Sequence, residues 1–284
     1  MSTVLFDNPG PRTRARHRLY SVIAAIMLLG ILALVIWQMG RTGQLAYSKW
    51  EPFVTPAYVQ ALLVDGLLKT LQMAFSAIIL AVLFGVVFGL GKLSDHAWIR
   101  WPCWLVVEFF RAVPVIMLMI FLFYAFKVGG GEGLGSYWSV VLALTLYNGS
   151  VLAEVFRAGI LAVPHGQAEA AYAIGMRKSQ VMTSILLPQA VKIMLPALIS
   201  QMVVALKDTT LGFVVLAPGL TLVGRSVYLD FFNQVQTAIV LAAMFIVVNL
   251  LLTWVATLVQ RRLVGEKKVL EISAMGAPAS GGTI

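Results

Sequence analysis

Six apolar runs of about 20 residues constrain this chain more than any other feature. They extend from Leu19 to Met39, Ala61 to Leu93, Cys103 to Phe126, Tyr137 to Ile160, Val191 to Leu206 and Thr237 to Val259. A helix of that length matches the hydrocarbon thickness of a bilayer. With no water at that depth, backbone groups must pair within each segment, so the runs predict an all-α integral membrane protein of about six transmembrane helices. Composition agrees: 60% of residues are hydrophobic, 12% are charged and the mean hydropathy is +0.90, more apolar surface than one soluble core could bury. The fifth run is short and contains Pro196. The piece after it, LGFVVLAPGLTLVG, is apolar but broken by Pro218 and Gly219, which predicts a re-entrant or interfacial segment.

Basic residues orient the runs. If the N-terminus is inside, the inner segments hold Arg12, Arg14, Arg16, Arg18, Lys92, Arg100, Arg111, Arg157, Arg177, Lys178, Lys192, Arg261, Arg262, Lys267 and Lys268, fifteen of the 21 Lys and Arg. Cytoplasmic loops retain such residues, so both termini are predicted to be cytoplasmic in a multi-pass protein of the cell membrane. The net charge of +9 then follows from topology, with no nucleic-acid partner required. The basic segment 1–18 leads into an anchor at 19–39 that is too long for the apolar region of a cleaved signal and has no small-residue cleavage site after it. The final segment, 263–284, is small and polar and is predicted to be disordered. A single cysteine, Cys103, excludes an intrachain disulfide.

An intramembrane enzyme is excluded on residue types. His17, His96 and His165 all fall in cytoplasmic segments, no HExxH occurs and no metal site is indicated. The phosphate-loop-like GLGKLS at 89–94 lacks its first Gly and has Leu93 where a magnesium-binding hydroxyl belongs.

Polar residues inside apolar runs are costly and need a reason. Glu108 with Arg111, and Glu154 with Arg157, each share a helix face at i,i+3 near the predicted inner end of a span. Bracing of the bundle and lining of an inner gate both fit them. Asn148 and the cluster Lys207, Asp208, Thr209 and Thr210 lie deeper, where a substrate pathway or helix-to-helix bonding accounts for them. Gly85 and Gly89 form a GxxxG pattern suited to close packing inside the subunit.

The stretch HGQAEAAYAIGMRKSQVMTSILLP, from 165 to 188, is no span. Ala-rich 167–174 followed by Gly175, then Val181, Ile185 and Leu186 at helical spacing, predicts two short helices hinged at Gly175. An interfacial loop that snorkels Arg177 and Lys178 is one reading; a docking element, with Ala170 and Ala171 permitting close approach beside Glu169, is the other.

Glu169, Ala170, Ala171, Gly175 and the run Ile185 to Pro188 also match, position for position, the EAA loop that the permeases of binding-protein-dependent ABC importers carry. VEFFRAVP at 107–114, AEVFRAGILAVPHGQ at 153–167 and LKDTTL at 206–211 resemble the polar amino-acid branch of that family, in the family's order. The resemblance implies a five-helix type I importer (MetI-like) core over 61–262, with a cytoplasmic coupling loop at 165–188 that inserts into a separate ATPase dimer. It implies no cofactor in this chain, ATP and Mg being held by the ATPase. It further implies a second permease subunit, alike or unlike, an extracytoplasmic binding protein and an amino-acid substrate. The added N-terminal span is similar to glutamate-type permeases, which points to glutamate or aspartate; a permease of the same architecture for another small solute is the alternative.

Cysteines placed singly at Ser2, Gly131 and Ser179 in a Cys103→Ser background test the topology. A membrane-impermeant thiol reagent is expected to label only position 131 from outside; outside labelling at 179 would invert the assignment.

Overall fold

The computed structural model describes residues 11–125 and 135–264. The first ten residues, most of the Gly129 to Gly135 loop and the tail beyond Val264 lie outside the described residues. We label the helices α1 (Pro11–Arg41), α2 (Pro56–Lys92), α3 (Ala97–Ala112), α4 (Val115–Ala125), α5 (Gly135–Leu161), α6 (His165–Ala173), α7 (Lys178–Val215), α8 (Leu220–Phe231) and α9 (Gln234–Val264). Among the described residues α1, α2, α5, α7 and α9 are each long and apolar enough to cross a membrane, and α3 with α4 forms a bent pair that brings the number to as many as six.

Two of the sequence boundaries change for identifiable reasons. The run from Cys103 to Phe126 is not one straight helix: α3 and α4 meet at 102° across Val113 and Pro114. Pro114 has no N–H to continue the ladder and pushes Val113 out of the helical region, to φ −84° and ψ 128°. The second short helix expected after Gly175 is instead the first turns of α7, which continues into the fifth run. Within α7, Val181–Leu186 is wound as a π-helix, and Leu187 N–H donates to Met182 O, five residues back. This wide turn directly precedes Pro188, which could not make an ordinary bond to residue 184. The broken apolar piece begins as a 3₁₀ turn, Thr209–Val215, and closes at Leu216 with φ 55° before Pro218 and Gly219 lead into α8.

Contacts among the described residues divide the chain after Val59, Arg225 and Val240. In the unit made of residues up to 59 and of 226–240, polar bonds dominate. Lys49 Nζ donates to Phe232 O (2.8 Å), Asn233 Nδ2 donates to Lys49 O (2.9 Å), and Gln236 bonds the backbone and side chain of Gln44. In the unit made of 60–225 and the residues from 241 onward, the core lies between α2 and α5, the most extensively packed pair. A Cβ added at Gly85 would stand 2.7 Å from Leu152 Cβ, and one at Gly89 would stand 2.8 Å from Ala153 O. Gly149 on α5 reciprocates, packing on the Phe84 ring. The GxxxG pattern thus serves packing inside the subunit, where close backbone approach substitutes for the missing hydrophobic drive between helices in lipid. Around this seam sit Met73, Ala77, Leu118, Met119 and Leu144 toward one end, and Ala81, Leu152, Phe156, Ala190 and Met194 toward the other.

Gly89→Leu is expected to lower stability by about 1–3 kcal/mol through overpacking. Gly30→Leu, with nothing within 4 Å of its Cβ position, is expected to leave stability unchanged. Thermal denaturation of the two variants in detergent checks the contrast.

Candidate coupling and pathway sites

Three polar constellations stand out on this scaffold. The first is the candidate coupling element, α6 with the start of α7. Of the matched residues, α6 buries Ala171 and leaves Glu169 and Ala170 exposed, as it leaves Tyr172 and Ile174. It packs on the Val181–Leu186 turns of α7. The helix is stopped by a paired backbone motif: Met176 N–H donates to Ala171 O (3.1 Å) and Gly175 N–H to Tyr172 O (2.9 Å). That motif needs a left-handed residue at position 175, where φ is +82°, and Gly175 supplies it without the strain of a Cβ. Pro188, exposed, follows the π turn of α7. The result is a short helix presenting a small, singly acidic face.

Lys178 Nζ, at the start of α7, pairs with Asp95 Oδ2 in the loop between α2 and α3. The hydrogen bond from Lys178, and then its charge, hold the Asp95 carboxyl below the usual carboxylate range. A depressed carboxyl contributes above its unfolded pKa and loses that contribution as pH falls through its lowered folded value, so the clamp persists at neutral and mildly acidic pH.

The second constellation joins the two i,i+3 pairs. Arg111 Nη1 lies 3.4 Å from Glu108 Oε1 and Arg157 Nε lies 3.0 Å from Glu154 Oε2, as their spacing predicts. Between them runs Lys92, the last residue of α2. Its side chain is 6% exposed and its Nζ bonds both Glu154 Oε1 and, at 3.3 Å, Glu108 Oε1. The order Arg111, Glu108, Lys92, Glu154, Arg157 is a continuous alternation of charge across α3, α2 and α5. It borders a cavity of about 360 Å³ that Arg100, Trp101 and Trp104 also line.

The third is the deep polar cluster, which the structure divides. Asn148, buried on α5, accepts a 2.5 Å hydrogen bond from Gln201 Nε2 of α7, and Asn148 Nδ2 is buried without a partner. Lys207 and Asp208 do not meet Asn148, and neither has an ion-pair partner among the described residues. Lys207 and Thr210 instead line a cavity of about 510 Å³ together with Asn249 and Thr253 of α9. Thr209 is buried on the other side of the turn and bonds Leu206 O (2.6 Å). Among the described residues no cluster of His, Cys, Asp and Glu is suited to a metal ion.

Residues 81–265 match the family of binding-protein-dependent transport system inner membrane components. Over 231 residues the chain is 42% identical to the glutamate transport system permease protein GluD of Corynebacterium glutamicum, covering 79% of this chain and 83% of that one. The glutamate/aspartate import permease protein GltK of Escherichia coli is 33% identical over 160 residues, 54% of this chain and 71% of its own. Among solved structures, a chain of an amino-acid ABC transporter crystallised with histidines superposes with a TM-score of 0.68 at 28% identity, covering 74% of this chain and 98% of that one. This chain belongs to the binding-protein-dependent inner membrane component family. It is a multi-pass, non-catalytic permease subunit of an ABC importer of amino acids, and the ATPase is a separate subunit.

Sequence reasoning about this permease missed the bridging residues. Lys92 reads as one more inner basic residue, and neither Asp95 nor Gln201 stands out in the sequence. For Lys92 one signal was present: it lies three residues after Gly89 and so on the glycine face of its helix. For Gln201 and Asn249 the signal was the cost of an amide inside a span.

Gln201→Leu is expected to destabilise the permease by about 1–3 kcal/mol, because it leaves the buried Asn148 amide wholly unpaired. Lys207→Ala, at an exposed cation, is expected to leave the detergent melting temperature unchanged. Equal losses in both variants would show that the two halves of the cluster act as one brace.

Proposed function

We propose that this permease imports glutamate or aspartate, working with an unlike second permease subunit and a binding protein outside the membrane, with both termini cytoplasmic. In this reading α6 is the coupling helix that docks on the ATPase dimer, which binds ATP and Mg. ATP-driven closure of the ATPases swings α6 and alternates access to a central site, a bistable transition of the kind transporters use.

The observation that carries the reading of an amino-acid pathway is the cavity beside α7 and α9. Lys207 brings to it a cation that no carboxylate of the described residues neutralises, and Asn249 and Thr253 of α9 line it as well. Any amino acid offers a carboxylate and an ammonium, which Lys207 and the neighbouring Asp208 can receive separately. The 42% identity to a glutamate permease is what supports the acidic class. Relatives whose names specify arginine or glutamine, 28% and 34% identical, favour a second reading in which another polar amino acid is carried.

Uptake of labelled glutamate, aspartate, glutamine and arginine by the reconstituted complex distinguishes the two. Lys207→Ala and Asp208→Ala are each expected to lower uptake by about ten- to a hundredfold, the effect of a lost charged hydrogen bond, with complex yield and basal ATP hydrolysis retained. Glu169→Lys is expected to leave the subunit inserted but to uncouple hydrolysis from uptake. Preferred uptake of arginine or glutamine would select the second reading, and normal coupling in Glu169→Lys would remove the docking role of α6.

A further inference from the structure

The short connection between α2 and α3 is bonded on every side. Backbone bonds from Leu93 N–H to Leu90 O (3.0 Å) and from Ser94 N–H to Gly91 O (3.1 Å) close it as a tight turn. Gly91 sits so close to α3 that an added Cβ would collide with Cys103 Sγ. Ser94 O accepts from Arg100 Nη1 of α3 (3.1 Å), and Ser94 Oγ accepts from His96 N–H (3.2 Å). The turn therefore moves as one body with the start of α3.

Two ion pairs of opposite polarity leave this body. Asp95 reaches Lys178, which begins α7 immediately after the Gly175 stop of the coupling element. A cation at a helix N-terminus is opposed by the helix dipole, and the Asp95 carboxylate offsets both charges at once. Lys92, three residues earlier, is buried between Glu154 of α5 and Glu108 of α3. Three residues span at most about 10 Å of chain, so a displacement at Asp95 has no slack in which to dissipate before it reaches Lys92. Lys92 is also the only cation that joins the α3 and α5 pairs among the described residues; without it the charge alternation falls into two separate helix-internal pairs.

We propose that the turn Gly91–Asp95 is a relay that carries movement of the coupling element to the charge chain bordering the cavity of α2, α3 and α5, with Asp95 and Lys92 as its positioning residues. The proposal rests on the coupling reading of α6. Movement at α6 is passed through Lys178 to Asp95, and through the rigid turn to Lys92, whose withdrawal from Glu154 or Glu108 separates α5 from α3 at this end of the bundle.

The test uses the complete transporter with its ATPase, second permease and binding protein in proteoliposomes, and reads amino-acid uptake per ATP hydrolysed. Asp95→Lys and Lys178→Asp are each expected to lower this ratio about fivefold, as reversal of an exposed pair allows. The exchanged double variant is expected to return to within about twofold of the parent, since the pair is restored with its ends switched. Lys92→Arg is expected to keep the ratio and Lys92→Met to lower it. Where a reversed variant assembles poorly, Asp95→Asn and Lys178→Gln replace it, with a loss in the same direction. A ratio unchanged in both single variants, or a double variant as low as the singles, overturns the relay, as does Lys92→Met with a normal ratio. Glu169→Lys measured alongside separates the two ideas: if it uncouples while the turn variants do not, only the relay fails; if it stays coupled, the coupling reading fails first.

Discussion

The backbone contact between α2 and α5 is the constraint from which the rest of the unit follows. In lipid there is little hydrophobic gain when one apolar helix meets another, so association depends on how closely backbones can approach. Gly85 and Gly89 on α2 and Gly149 on α5 remove the side chains that would hold the two apart. The same contact sets the electrostatics at the helix ends. Gly89 lies against Ala153, and three residues beyond Gly89 comes Lys92, while one residue beyond Ala153 comes Glu154. Close packing and ion pairing are thus one geometric fact, with the glycine seam fixing the distance at which the charges meet.

That arrangement also explains why a buried lysine is tolerated. A lone ammonium at such a place would be strongly disfavoured, but Lys92 has a carboxylate on either side, and each carboxylate has an arginine on its own helix. The arginines are partly exposed, which lets their charge be shared with the surroundings while the central lysine is largely buried. Charges at i,i+3 on a single helix would hold that helix together and nothing more. Linked through Lys92, they hold three helices in register, and they do so with bonds that can exchange, unlike the packing seam.

Much of this was legible in the sequence because it is written in local rules. Apolar runs gave the spans, Gly175 the end of α6, and i,i+3 spacing the two ion pairs. The departures came where a local signal had to be weighed against its neighbours. Pro114 lies inside the third apolar run, and only the structure shows the 102° bend there. The residues after Gly175 carried a helical pattern in both views; the pattern could not say that the helix would run on for the whole of α7. Asn148 and Lys207 were grouped because both are polar and deep, yet they sit on different faces of the α7 neighbourhood, Asn148 with Gln201 and Lys207 with Asn249 and Thr253. Depth can be inferred from a one-dimensional pattern, whereas facing requires the rotation of each helix about its axis. Lys92 was overlooked for the same reason: its role depends on Glu108 and Glu154, 16 and 62 residues away.

The two ends of this machinery call for different chemistry. In the docking role proposed for α6, a surface that binds and releases repeatedly gains from small side chains and a single charge, as at the exposed Ala170 and Glu169. A joint that must transmit movement without melting gains from bonds that are strong when made yet able to change partners. The alternating charges from Arg111 to Arg157 suit that need, because Lys92 bonds two carboxylates at once, so that loss of one bond leaves the other. A hydrophobic contact of the same area would hold α3 to α5 without offering that intermediate. The tight turn at Gly91 to Asp95 adds stiffness where stretch would waste displacement. Sequence, packing and charge therefore point the same way: the glycine seam sets the close approach of α2 and α5, and the proposed relay acts on the ionic joint at its end.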